Sequence, residues 1–391
     1  MARRSPLIVA LAALTLVISC SGDDTTIGTP QGSHGGSTDD SLVGDSVPPN
    51  LDVHADKPFP AERCDANREA GTITYLSGFD FTASASILDV QVAAAKGYYE
   101  DLCLDVELKP SFSTDNYPLI AADDAQFASA GSFSEVVDFA GANDAGFVAL
   151  SVEGRTGIDA LITKDGAVPM IDDVQGTKIG VKGAITPSVR AMLAKAGLVL
   201  DVDYETVLLD GFDPMVHIEV PGIVGFPGYK SNEPGRLTTN GVPFKLYDPS
   251  DYDIPGSFGV LYTNLTFLQE HPTAAQDFMR ATMRGLADAI ADPDAAVQIA
   301  VDNINANGNA VFVTPEGEAA RWAVESALVV QGVTPSAPLG LPLVDELLNE
   351  VTVYAQSGLF GGEVPLIDTL VDVSVLEGVY DSDGNLIWPA G

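Results

Sequence analysis

Positive charge is scarce in this chain of 391 residues: 19 lysines and arginines stand against 55 aspartates and glutamates, a formal net charge of −36. A surface of that sign repels phosphate backbones, so nucleic acid is excluded as an expected partner and the excess reads as a solvated acidic face. Histidines number four, and no Cys/His/carboxylate cluster has metal-site spacing, so neither a metal nor a cofactor is expected. No Ser-His-Asp order is apparent either, and His217 and His271 have no evident catalytic partners, so no catalytic residue is predicted. Cysteines number three. Long apolar runs are missing beyond the first twenty residues, which predicts a body without a transmembrane helix.

The one apolar run near the N-terminus, in MARRSPLIVALAALTLVISCSGDD, follows Arg3 and Arg4 and stops at Cys20. Residues 7–18 are too few to span a hydrocarbon core of ~30 Å comfortably, which reads as a secretory signal peptide over residues 1–20. Val17-Ile18-Ser19-Cys20 resembles the bacterial lipobox. That resemblance implies acylation of Cys20, an extracytoplasmic protein, and anchoring of the chain to the lipid bilayer of the cell membrane. Residues 21–69 are expected to form a disordered tether, because Gly, Ser, Thr, Asp and Pro dominate them. With Cys20 acylated, Cys64 and Cys103 remain as an even pair in an oxidising compartment, and a disulfide is expected.

From residue 70 onward, short β-branched or aromatic runs alternate with helical patterns, which suggests βα units and mostly parallel sheets. Strands are expected at residues 72–77, 104–108, 126–130, 147–151, 158–163 and 177–181, then at 205–209, 222–226, 243–247 and 258–263. Helices dominate after residue 272. The layout predicts an α/β fold of two lobes. Residues 70–165 start lobe 1, residues 166–254 form lobe 2, and residues 255–391 return to lobe 1 and add C-terminal helices. Crossings are expected at Asp165-Gly166 and Pro255-Gly256. Ligands in such folds sit at strand carboxyl ends and helix N-termini, here the cleft between lobes.

Four stretches carry a family resemblance. Val92-Ala93-Ala94-Ala95-Lys96-Gly97-Tyr98-Tyr99-Glu100 followed by Leu104-Asp105-Val106-Glu107-Leu108 resembles an "A-x-x-K-G-Y-F-x-x-x-G-L-x-V-E" signature, with Cys103 where glycine is usual. Asp173-Val174-Gln175-Gly176-Thr177-Lys178-Ile179-Gly180-Val181 matches "D-L-x-G-K-x-I-G-V". Tyr229-Lys230-Ser231-Asn232-Glu233-Pro234 is similar to "Y/W-x-x-N-E-P", and Asp251-Tyr252-Asp253-Ile254-Pro255 to "D-Y-G-V-P". Together they resemble the solute-binding proteins of ABC importers for nitrate, sulfonates, taurine and thiamine-pyrimidine precursors, which have the two-lobed periplasmic-binding-protein type II fold. The resemblance implies a small-molecule solute, ABC permease subunits as partners, and no enzymatic activity. It favours a pyrimidine-like thiamine precursor or other flat heterocycle. The alternatives are a nitrate-, sulfonate- or taurine-type solute, and a pyrimidine-synthase-like enzyme, whose cysteine-rich motif is absent here.

Candidate ligand contacts follow from the residues themselves. Phe79 and Phe81 lie after the first strand and offer rings for stacking or for the core. Gly131 and Ser132 open a helix whose free N–H groups suit an acceptor, with Ser132 equally suited to capping. Arg155 is expected to pair with Glu153, and Thr186 to accept from a ligand or cap its helix. Tyr229 offers a ring, Asn232 a donor and an acceptor, and Glu233 two acceptors; Asn232 could instead cap a helix that Pro234 starts. If Glu233 serves a ligand amine, Glu233→Gln should weaken binding and leave the empty protein's melting nearly unchanged.

Overall fold

The structure, a computed structural model, describes residues 47, 51–309 and 314–390. The signal-peptide segment, Cys20 and most of the expected tether lie outside the described residues.

The tether expectation fails for its last part. α1 (Ala61–Glu69) is a helix without an apolar face, yet Arg63 and Asn67 on it are buried. Arg63 Nε donates to Asp277 Oδ2 at 2.6 Å, and Asn67 Nδ2 donates to the same oxygen at 2.8 Å. Cys64 is joined to Cys103. A buried ion pair and a covalent link dock this segment, and neither leaves a trace in mean hydropathy, which is why composition alone reads it as solvated.

β1 (Thr72–Leu76) is followed by α2 (Leu88–Ala95), α3 (Tyr98–Asp101) and β2 (Asp105–Lys109). Then come α4 (Ser113–Ala121), β3 (Phe127–Ala130), α5 (Phe133–Asn143) and β4 (Phe147–Gly154). Lys96-Gly97 ends α2 as its residue types dictate, with Gly97 in the left-handed region at φ 73°. The chain next makes β5 (Asp159–Lys164), β6 (Lys178–Val181), α6 (Pro187–Lys195), β7 (Glu205–Leu208) and α7 (Pro214–His217). β8 (Gly225–Tyr229), α8 (Glu233–Thr239) and β9 (Phe244–Tyr247) complete this part. β10 (Phe258–Asn264) precedes α9 (Leu265–Glu270), α10 (Pro272–Ala291), α11 (Pro293–Asn307), α12 (Pro315–Val329), α13 (Val344–Gln356) and α14 (Ser374–Glu377).

Two five-stranded sheets result, in the orders β2-β1-β3-β10-β4 and β7-β6-β8-β5-β9. β10 runs antiparallel between β3 and β4, so the chain returns to the first sheet after building the second. β5 belongs to the second sheet, antiparallel to β8 and β9 with Ile162 opposite Phe226. The first crossing is therefore at residues 155–158, not at Asp165-Gly166. The strand at 158–163 is legible from its residue types, but its partners, which come 62 to 86 residues later, are not. At the second crossing Gly256 lies so close to Gly157 that a Cβ would come within 2.7 Å of its backbone, so both connections run side by side. Tyr354 on α13 donates to the Pro255 carbonyl at 2.9 Å and braces this pair.

The first sheet is buried on both faces. α2, α10 and α11 cover one, where Phe127 stacks on Phe278 with ring centroids 3.9 Å apart. α4, α5 and α13 cover the other. Each fully buried large apolar side chain contributes about 1.5–3 kcal/mol. Both faces being sealed, access for a solute is left at the strand ends that face the second lobe.

Candidate functional site

A cavity of about 310 Å³ lies between the lobes. The first lobe contributes the loop after β1 (Gly78, Phe79), the start of α4 (Phe112, Ser113) and the end of β3 (Ser129, Gly131). The second lobe contributes Asp159, Lys182, Thr186, Phe212, Tyr229, Asn232 and Glu233. α12 adds Arg321 and Glu325.

Of the residues expected to touch a ligand, Phe79, Gly131, Thr186, Tyr229, Asn232 and Glu233 come together here. Phe81 does not: it is buried in the core at 2 % exposure, held where its N–H donates to Asp80 Oδ1 at 2.7 Å. Ser132 does not line the cavity either. Its hydroxyl accepts from the Glu135 N–H at the start of α5 and meets Ser134 Oγ at 3.0 Å, so it is a cap. Arg155 turns away from Glu153 and donates to the carbonyls of Gly332, Ala337 and Pro338. At Gly131 a Cβ would sit 2.7 Å from the Tyr229 hydroxyl and 2.9 Å from a Glu135 oxygen, so a larger residue there would displace both side-chain ends.

Three phenylalanines from three separate loops meet at the cavity. Phe79 is edge-on to Phe112 and Phe212, at 5.6 and 5.9 Å between centroids, and Phe112 lies nearly parallel to Phe212. Phe212 stands on the second lobe and the other two on the first. Lys182 Nζ sits 5.3 Å from the Phe212 ring centre. Phe112 and Phe212 carry no motif. Each is a single aromatic just past a strand end, the signal that marked Phe79.

The polar side carries charges of both signs. Four acids line the cavity (Asp80, Asp159, Glu233, Glu325) with three cations (Lys182, Arg236, Arg321). Every cation is paired: Lys182 with Glu233 at 3.0 Å, Arg236 with Asp213 at 3.2 Å, Arg321 with Glu318 at 3.3 Å. Glu233 starts α8 with Pro234 in its first turn, and its second oxygen accepts the Tyr229 N–H at 2.8 Å. Asn232 makes no capping bond; its Oδ1 accepts from Arg321 at 3.0 Å. Asp159 is buried beside Tyr229, its backbone partner across β5 and β8. Burial first, then the Glu135 charge, pushes its carboxyl up to about 8, against a hydrogen bond from Ser188.

α12 seals the cavity with one face. Glu318, Arg321 and Glu325 follow helical spacing and are all buried. Glu318 accepts the Ala83 N–H and Glu325 the Ala85 N–H, each at 2.7 Å, while Glu153 from β4 accepts that of Ser86 at 3.0 Å. Glu325 also accepts from Ser231 Oγ of the second lobe at 2.7 Å. The backbone N–H groups ahead of α2, otherwise an anion cradle, are thus filled by the protein's own carboxylates. In the sequence α12 shows only as a helix, and the spacing Glu-x-x-Arg-x-x-x-Glu is the signal that marks its buried charged residues. Deeper in the same lobe, burial raises Asp89 to about 6, and burial followed by the Asp89 charge pushes Glu153 well up.

Two α/β lobes joined by paired crossings, with a ligand-sized cleft between them, define the architecture of periplasmic solute-binding proteins. Residues 85–296 match the family model described as NMT1/THI5 like, over half of the chain, and the protein belongs to that family. A curated relative, the riboflavin-binding protein RibY of Chloroflexus aurantiacus, is 27% identical over 221 residues, covering 54% of this chain and 61% of RibY. The chain thus matches about three fifths of that relative's length. Among solved structures, the ligand-binding component of an ABC-type import system from Staphylococcus aureus is similar with a TM-score of 0.58 at 14% identity, over 78% of this chain and 98% of that one. The nitrate-binding protein NrtA from Synechocystis PCC 6803 gives 0.57 at 14%, over 78% and 87%. The alkanesulfonate-binding protein SsuA from Xanthomonas axonopodis pv. citri gives 0.53 at 12%, over 78% and 97%. At such identities these likenesses establish the shared fold.

Proposed function

We propose that the protein is the solute-binding component of an ABC importer, lipid-anchored through Cys20 outside the cytoplasm, and that it captures a flat heteroaromatic solute between its lobes. The observation that carries this reading is the set of aromatic rings contributed by both lobes beside a polar wall that leaves none of its cations unpaired. Rings suit a π-face, and carboxyl groups suit ring-bound N–H donors. A nitrate or sulfonate would need uncompensated positive charge or free N–H groups. The three lining cations are already paired, and the N–H groups ahead of α2 already accommodate Glu318, Glu325 and Glu153. The riboflavin named for RibY and a pyrimidine precursor of thiamine are both flat N-heterocycles, which makes them the first solutes to try.

Isothermal calorimetry of the mature protein tests the reading, with riboflavin, 4-amino-5-hydroxymethyl-2-methylpyrimidine, nitrate and taurine as titrants. Saturable binding of a heterocycle, recovered chemically unchanged, is the expected result. Binding of nitrate or taurine alone would refute the heterocycle assignment, and turnover of the titrant would refute the transport role.

A further inference from the structure

Buried polar atoms in proteins are nearly always hydrogen-bonded, so the exceptions call for a reason. Among the described residues, two cavity-lining side chains have buried atoms without a partner: Asp159 Oδ1 and Thr186 Oγ1. Both stand on the second lobe, and both belong to the surroundings of α6. Thr186 precedes Pro187 at the head of α6 and makes no capping bond with its side chain. Ser188, in the same first turn, donates to Asp159 Oδ2 at 3.3 Å and leaves Oδ1 unengaged. Asp159 is only 7% exposed. The carboxyl is therefore held in place by one oxygen, while the other is buried without a partner in a residue that lines the cavity.

Resting on the solute-binding reading above, we propose that Asp159 is the specificity-determining residue and pairs with a ring edge that presents one acceptor beside one N–H donor. The amidine edge of an aminopyrimidine and the lactam edge of a flavin both have that pattern. Protonated on Oδ1, the Asp159 carboxyl meets such an edge with two parallel hydrogen bonds: the Oδ1 hydroxyl donates to the ring acceptor, and Oδ2, which keeps a second lone pair beside the Ser188 bond, accepts from the N–H. An ionised carboxylate has no proton to give and can satisfy only half of the edge.

The surroundings keep that proton in place. Glu135 on α5 and Glu233 on α8 add negative charge around Asp159, while Lys230 after β8 acts in the opposite direction. Tyr229 on β8 and Tyr354 on α13 also face it. Lys230 is itself paired with Asp248 at 2.9 Å. Burial and this acidic ring leave Asp159 losing its proton only near pH 8. Above that point a neutral ligand binds only together with a proton from solution, so affinity falls about tenfold per pH unit by linkage.

Calorimetric titration of the mature protein with 4-amino-5-hydroxymethyl-2-methylpyrimidine and with riboflavin, from pH 6.5 to 9.5, tests this. Wild type should hold a constant affinity for the bound probe to about pH 8 and lose it tenfold per unit above. Asp159→Asn keeps one donor and one acceptor without a titrating proton, so it should still bind at pH 7 but with a flat profile. Asp159→Ala should bind at least tenfold more weakly at pH 7 while retaining its circular dichroism. An Asp159→Asn profile with the wild-type slope, or an Asp159→Ala affinity within twofold of wild type, overturns the proposal and leaves the solute-binding reading standing. A wild type that binds neither probe overturns the heterocycle reading and the proposal together.

Discussion

Glu233→Gln is the most informative single change, because the residue is engaged at both oxygens before any solute arrives. Its side chain is 4% exposed and its partner Lys182 28%. The substitution keeps the volume and leaves an oxygen to accept the Tyr229 N–H, now at 2.8 Å. What it removes is the charge opposite Lys182. Breaking one side of a fully buried pair costs about 3–5 kcal/mol, and a hydrogen bond to a charged group is worth about 1.5–3. Lys182 keeps over a quarter of its side chain in water, which screens the loss, so the expected destabilisation of the empty protein is about 1–2 kcal/mol. Urea unfolding of Glu233→Gln, Lys182→Met and the double variant measures it. The two single effects should be non-additive by about 1 kcal/mol, beyond the scatter of roughly 0.3–0.5 seen for independent sites. Additive effects, with an unchanged midpoint for Glu233→Gln, would show that the pair contributes nothing and that Glu233 is free to serve a ligand, as its sequence motif alone suggests.

Reducing the Cys64–Cys103 bond, whose ends are 39 positions apart, should cost roughly 4 kcal/mol in the chain-entropy model. Unfolding curves with and without reductant, checked against a Cys64→Ser/Cys103→Ser variant, give the figure; coincident curves would contradict it. The pH dependence of the empty protein follows from acids whose pKa is raised on folding: Asp89 and Glu135 to about 6, Glu350 to about 7, Asp159 to about 8, in each case by burial first. Such groups hold a proton in the folded state that the unfolded chain has released. Stability is therefore lost as pH climbs from the ordinary carboxylate range through these values, and the melting temperature should be higher at pH 5 than at pH 8.5. A scanning-calorimetry series that rises with pH over this window would refute the assignment.

The sequence by itself determined the α/β class, most of the strands and the return of the chain after Pro255, but neither α1 nor the run of β8 through Pro227 and Gly228 to Tyr229, where a strand ending at residue 226 is expected. These follow from local periodicity and from turn residues such as Lys96-Gly97, whose conformational demands do not depend on distant neighbours. Phe79, Gly131, Thr186, Tyr229, Asn232 and Glu233 were legible as cleft residues because a strand end followed by a loop or helix start is a local pattern. Three things were decided only by tertiary structure. β5 joined the second sheet because its hydrogen-bonding partners, β8 and β9, lie far along the chain. α1 packed because Asp277, more than 200 residues away, neutralises Arg63. Asp159, Arg321 and Glu325 became cavity residues because burial and long-range packing, not residue type, fix which carboxyl is desolvated and which backbone N–H it meets. A charged side chain looks the same in sequence whether it faces water or a cleft; only the fold sets its dielectric surroundings and partners, and with them its chemistry.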